Sequence, residues 1–277
     1  MRQHHTSTRR TALLLVAGLL GLLAAATVAA ADTLERGIAA YEAERFEKAY
    51  ELLKPLAEEG DAEAQYRVAQ IYGRPSLGGQ DFGEAKVWLE RAAKANHPNA
   101  ILGLGYMYSN GMGVEEDNNR AAEYYRDAAE LGSKVARRNL GLFYKNGEGV
   151  ERDYEEAAEW FRRAAQQGDA RAAYELGEIY YYGRGAFELD YDQAHHWFGE
   201  AARAGNARAQ YALGGLYLQG LGVASDSEVS YVWTLMAAEQ GHKAAQQAWD
   251  NADWYLDEQQ KARVREQVEQ GVMPATD

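Results

Sequence analysis

The strongest constraint on this fold is that the chain repeats itself. Gly111, Gly147 and Gly183 recur at steps of 36 residues, and Gly220 follows after 37. Gly113, Gly149, Gly185 and Gly222 keep the same steps, as do Tyr108, Tyr144, Tyr180 and Tyr217. Ala85, Ala121, Ala157 and Ala194 form a further column, which Ala49 extends backward and Ser230 forward by 36. The single extra residue lies in "GAFELD", between Gly185 and Asp190, where a loop would absorb it. A chain with this period is expected to stack supersecondary units, each too thin to bury its apolar face alone.

Each unit splits into two helical patterns. In "DYEEAAEWFRRAAQQG" the apolar residues fall at Tyr154, Ala157, Phe161, Ala164 and Ala165, with Trp160 beside them, which is the spacing of an amphipathic helix. Asp153 is placed as its N-cap and Gly168 as its stop. In "DARAAYELGEIYYYGRG" Ala173, Leu176, Ile179 and Tyr180 repeat the pattern until Gly183 and Gly185 break it. No stretch alternates convincingly with strand period. Ala69, Gly105, Gly141, Gly177 and Gly214 share one position inside the second helix, where glycine costs about 1 kcal/mol relative to alanine. A close helix–helix approach would explain that cost. The large residues Trp88, Tyr124, Trp160, Trp197 and Trp233 are expected to face them as core, rather than to form a ligand-stacking surface.

With these columns in view, the chain resembles the Sel1-like repeat, a relative of the tetratricopeptide repeat with a longer glycine-rich link. The resemblance covers about Arg45 to Asp250, as six units starting near Arg45, Asp81, Asp117, Asp153, Asp190 and Asp226. The first unit departs in its link, where "GRPSLGGQ" (Gly73 to Gln80) replaces the NGxGV pattern, and the last degenerates after Gly241. The resemblance implies an all-α fold, a right-handed α–α superhelix or solenoid. Residues 32–44 read as an N-terminal capping helix and residues 251–277 as a C-terminal capping helix and tail. Asp257 and Gln260 are spaced there as a capping box.

The first residues read as a leader. "MRQHHTSTRR" is basic, "TALLLVAGLLGLLAAATVAA" is uncharged, and Ala29 and Ala31 supply small residues before a cut. This order predicts a secretory signal over residues 1–31, cleaved after Ala31. An uncleaved anchor is the alternative, because Thr11 to Ala31 is long enough to span a bilayer. The expected location is therefore periplasmic, with secretion or membrane anchoring as alternatives. Loss of Arg2, Arg9 and Arg10 with the leader takes the formal charge from -13 to -16. An acidic chain is a poor nucleic-acid binder, since phosphate neutralisation needs a basic surface. The absence of cysteine excludes disulfides, thiolate metal sites and cysteine catalysis.

The sequence offers no catalytic constellation, and no catalytic, cofactor-binding or metal-ligating residue is expected. His97 and His242 follow the first helices of their units and suit a loop or cap role. His195 and His196 are adjacent and would point about 100° apart on a helix. Asp192, His196 and Glu200 share one helical face, but a solvated strip is the plainer reading, as no motif such as HExxH supports a metal. The glycines of "NGEGV" lack the Lys-Ser/Thr ending of a phosphate loop.

Stacked helix pairs expose a long concave face on which variable positions set specificity. One such column reads Tyr66, Leu102, Arg138, Tyr174 and Tyr211, beside Gln65, Ile101, Arg137, Ala173 and Gln210. Tyr66, Arg137, Arg138, Tyr174 and Tyr211, with His195 and His196, are the candidate partner-contact residues, tyrosine and arginine being favoured at binding hot spots. The alternative is that the tyrosines finish the core and the arginines neutralise neighbouring acids. Proteins of the resembling family serve as adaptors in exopolysaccharide export, motility, envelope signalling and host interaction. The expected function is thus an exported, non-enzymatic scaffold that binds proteins of the cell envelope. Glycan or peptidoglycan binding is the alternative, given 19 Tyr and 6 Trp. A weak hydrolase of β-lactamase type, described for cysteine-rich relatives, fits less well in a chain without cysteine.

Overall fold

The computed structural model describes residues 27–75, 79–251 and 256–274. Most of the expected leader, the middle of the first link and the last three residues lie outside the described residues. The first helix, α1, occupies residues 27–42. Twelve helices follow as six consecutive pairs: α2 Phe46–Glu59 and α3 Ala62–Tyr72, α4 Phe82–Lys94 and α5 Pro98–Asn110, α6 Asn118–Glu130 and α7 Lys134–Asn146, α8 Tyr154–Ala165 and α9 Ala170–Tyr182, α10 Tyr191–Arg203 and α11 Ala207–Gln219, α12 Ser227–Glu239 and α13 Lys243–Asp250. The last helix is α14, Glu258–Glu269. No strand occurs among the described residues. The helices form two bodies, one ending at Glu116 and one beginning at Asp117. Within each, a helix packs on the one before and the one after, so the architecture is an all-α solenoid.

Capping explains where the helices begin. Asp81, Asp117, Asp153, Asp190 and Asp226 precede the first helices of five pairs. Each is extended, and its carboxylate accepts backbone N–H groups of the first turn. Replacing such a cap by alanine typically costs about 1 kcal/mol. The first pair differs, because Arg45 makes no side-chain cap for α2. The second helices start from Asp61, His97, Ser133, Asp169, Asn206 and His242. His97 and His242 accept the amides of Ala100 and Ala245 through Nδ1, at 3.2 Å in each case. That bond leaves Nε2 as the protonated nitrogen of the neutral ring, and the cap role expected of both histidines is what they perform.

The glycine-rich link serves the backbone. Gly111, Gly147, Gly183 and Gly220 end the second helices in the left-handed region, which glycine enters without a Cβ penalty. Gly149 and Gly222 also press against the first turn of their own unit's first helix. A methyl group would lie 2.0 Å from the Asn118 carbonyl oxygen at the former and 2.2 Å from that of Tyr191 at the latter.

The small column inside the second helices does meet large side chains, but not the ones expected. A Cβ at Gly141 would lie 2.7 Å from the Phe161 ring, and one at Gly177 would lie 2.5 Å from that of Phe198. At Gly214 the neighbours are the Ser230 carbonyl oxygen and the Thr234 hydroxyl, both at 2.8 Å. Phe161, Phe198 and Thr234 stand one residue after Trp160, Trp197 and Trp233. One residue is about 100° of helix, so the indoles point elsewhere, although Trp88, Trp160 and Trp233 are still buried.

The ends are closed by further helices. α1 meets α2 at Gly37, where a Cβ would strike Leu53 at 2.5 Å. At the other end, Asp257 and Gln260 form the capping box anticipated from their spacing. α14 then packs on α12, burying Leu256 and Val264 in a cluster with Tyr231, Val232 and Leu235.

Candidate functional site

The candidate residues divide into those tied up inside the stack and those that line open space. Tyr66 is stacked on His97, with ring centroids 4.9 Å apart and planes at 29°. Its hydroxyl receives the Gln70 amide at 2.9 Å. Glu63 joins the same network, bonded to His97 Nε2 at 2.8 Å and to Arg67 Nε at 2.6 Å. The His97 bond, supported by Arg67, holds the Glu63 carboxyl down at about 2 against the opposing effect of burial. Arg137 donates to the Ala129 carbonyl at 3.1 Å, and Arg138 meets the Asp169 carboxylate at 2.7 Å. Asp169 is itself the N-cap of α9, so that arginine joins one pair to the next.

His195 is buried beside Tyr217, with ring centroids 5.3 Å apart. Burial, the largest influence, pushes its pKa down and favours the neutral ring. His196 is exposed, its ring edge-on to Trp197 at 4.8 Å. Glu200, on the same helical face, is paired with Arg203 at 2.5 Å. Among the described residues no cluster of acids and histidines is placed to hold a metal ion.

Tyr174 and Tyr211 are brought together with residues absent from the candidate set. They line a cavity of about 470 Å³ in the C-terminal body, whose walls include Tyr181 and Tyr182 of α9, Gly215 of α11 and Thr234 of α12. The repeat explains why the cavity lies here. Gly215 occupies the register held by Gln70, Tyr106, Leu142 and Glu178. Thr234 occupies that of Leu53, Leu89, Tyr125, Phe161 and Phe198. The cavity opens at Gly215, while the buried Thr234 lets α12 come close to Gly214, where a Cβ would lie 2.8 Å from the threonine hydroxyl. Sequence reasoning compared what recurs and missed this site. Its signal was two departures from otherwise bulky columns.

The cavity wall is polar at defined points. The Tyr174 hydroxyl donates to Glu178 at 2.7 Å, and burial followed by this bond pushes its pKa above the ordinary range. The Arg208 guanidinium lies 4.6 Å over the Tyr174 ring, within cation–π range. His242 is tilted against Tyr211, with centroids 5.0 Å apart. Burial, then Arg208, pushes the His242 pKa down. The Thr234 hydroxyl is turned back to the Ser230 carbonyl at 2.9 Å. These groups provide aromatic faces, one carboxylate already bonded and one cation.

Stacked helix pairs linked by paired glycines define a class of α-helical repeat protein. The sequence pattern of the Sel1 repeat matches residues 62–97, 98–133, 134–169, 170–206 and 207–242, and the chain belongs to the Sel1 repeat family. Each match begins at a second helix, so the five leave α2 before them and α13 after them. Proteins of this family generally act through protein–protein interaction. The chain is similar to a Sel1 repeat protein from Oxalobacter formigenes, at 30% identity and a TM-score of 0.74. That match covers 86% of this chain and 99% of the other. It is also similar to c5321, a protective antigen of uropathogenic Escherichia coli strains displaying this fold. Identity there is 29% and the TM-score 0.77, over 88% of this chain and 54% of the antigen. A protein of Neisseria meningitidis, NMB1327, is 33% identical over 94 residues. That stretch is 33% of this chain and only 19% of the curated relative.

Proposed function

We propose that the protein is an exported, non-enzymatic scaffold that binds a protein partner of the cell envelope, through the second-helix face of its C-terminal body. The leader-like first residues support export. The cavity beside Gly215 and Thr234 carries the reading of the face. It opens at Gly215, where α3, α5, α7 and α9 carry the bulkier Gln70, Tyr106, Leu142 and Glu178 and where a Cβ would meet only the end of Gln219. Tyrosine-lined concavities of a few hundred Å³ are what binding anchors use. Glycan or peptidoglycan binding is the second reading, favoured by the exposure of Tyr182 at the cavity mouth.

A photo-crosslinking side chain at Tyr182 tests the face directly in cells. A protein adduct is expected from Tyr182 and none from Arg163, which is exposed on a first helix. Equal adducts from both positions, or none from either, would overturn the assignment. Adducts with murein fragments alone would select the glycan reading.

A further inference from the structure

We infer that the joint between α12 and α13 is an acid-operated release, in which a proton taken up by His242 removes the cap of α13 and loosens one wall of the cavity. The device does not depend on what the cavity binds.

The cap requires the neutral ring. His242 Nδ1 accepts the Ala245 amide at 3.2 Å, and an imidazolium has no lone pair to offer. Four of the other caps at this register are Asp61, Ser133, Asp169 and Asn206, none of which takes up a proton near neutrality. The fifth is His97, whose Nε2 meets the Glu63 carboxylate at 2.8 Å. That ion pair would hold a protonated ring in place. His242 has Arg208 at the register of Glu63, and among the described residues no carboxylate is bonded to its ring.

The surroundings of His242 oppose an added charge. Arg208 and Tyr211 of α11 flank it, and Tyr231 of α12 shares the cavity with it, as do Tyr174 and Glu178 of α9. The Glu178 carboxylate is bonded to the Tyr174 hydroxyl. Glu239 at the end of α12 and Lys243 at the start of α13 are exposed. Burial first, then Arg208, pushes the His242 pKa down, and a cation at the positive end of α13 is unfavourable as well. The folded ring therefore resists a proton that the unfolded one accepts. The cap contributes fully above the ordinary histidine value of 6.5 and is lost as the pH falls below it.

Little else holds α13. It has 8 residues and fully buries only Ala245, where α11 has 13 residues and buries six. A helix this short is marginal by itself. Gln246 adds one bond, to the Ala238 carbonyl at 3.2 Å. His242 and Ala248 both line the cavity, so fraying of α13 from its first turn opens that wall.

The test compares amide hydrogen exchange at two caps of the full chain, at about pH 7.5 and about pH 5, on either side of the histidine range and corrected for intrinsic rates. The Ala209 amide, capped by Asn206, is the internal reference. Protection at Ala245 should fall about fivefold relative to Ala209 at the lower pH, as loss of one cap implies. In His242→Asn, which copies the cap of α11, the ratio should stay constant. The buried His195 is present in both proteins, so its contribution cancels between them. A constant ratio in the wild type, or a fall that persists in His242→Asn, would overturn the inference. Should His242→Asn melt at lower temperature at the higher pH, His242→Ser takes its place with the same two outcomes, serine being the cap of α7 at Ser133.

Discussion

The same joint is built twice in this molecule, once closed and once open. In the N-terminal body Tyr66 stacks on His97, and in the C-terminal body Tyr211 leans on His242. Both histidines cap the helix that follows. What differs is the three residues around each tyrosine. Glu63, Arg67 and Gln70 surround the first and bond to one another, to His97 or to the tyrosine hydroxyl. Arg208, Ala212 and Gly215 stand at the same registers around the second. A carboxylate has become a guanidinium, an arginine a methyl group and a glutamine a hydrogen. The first set consumes its polar groups inside the stack, while the second leaves a cavity and a cation. A repeat protein can thus create a site by deletion, holding the scaffold constant and removing side chains at one layer.

A third version of the joint lies between them, where Arg138 and Asp169 replace the tyrosine and histidine. Both are largely buried, at 16% and 5% side-chain exposure. Asp169→Ala should remove the α9 cap and strand the guanidinium, costing about 3–5 kcal/mol in chemical denaturation. A cost below about 1 kcal/mol would show that the ion pair adds little to the joint. The next effect is acid sensitivity. The Glu63 carboxyl is held at about 2 against an ordinary 4.5. Its folded pKa is depressed, so its contribution is complete above 4.5 and is lost as pH falls toward 2. That contribution is at most about 3 kcal/mol. Glu63→Gln should flatten the stability profile in this window. An unchanged profile would mean that the closed joint is not fastened by this carboxylate.

How much of this was legible in the sequence follows from what repetition reveals. The helix pairs, the aspartate caps and the glycine breaks recur, because each layer has the same backbone needs. Asp153 and Gly147 could therefore be assigned from one unit and checked in the others. The facing of small on large was legible only to within one residue, since spacing does not say which of Trp160 and Phe161 points at Gly141. The candidate site was half legible. Tyr174 and Tyr211 stood out by residue type, and Arg138 by its place in the same column. Whether such a side chain is spent on its neighbours can depend on a residue 31 positions away, as Arg138 and Asp169 show. The cavity left its trace only as smallness at Gly215 and Thr234, which a search for chemistry-bearing residues passes over.

The central claim is that the opening at Gly215 exists for a partner. Gly215 lies within a helix, and a Cβ there would meet only the end of the Gln219 side chain, at 3.9 Å. Gly215→Leu restores the residue that the equivalent register holds at Leu142. Melting temperature and capture of envelope protein should be measured on the same preparation. The expected result is stability unchanged or raised by up to about 1 kcal/mol, with capture lost. Undiminished capture by the stable, filled variant would contradict the account.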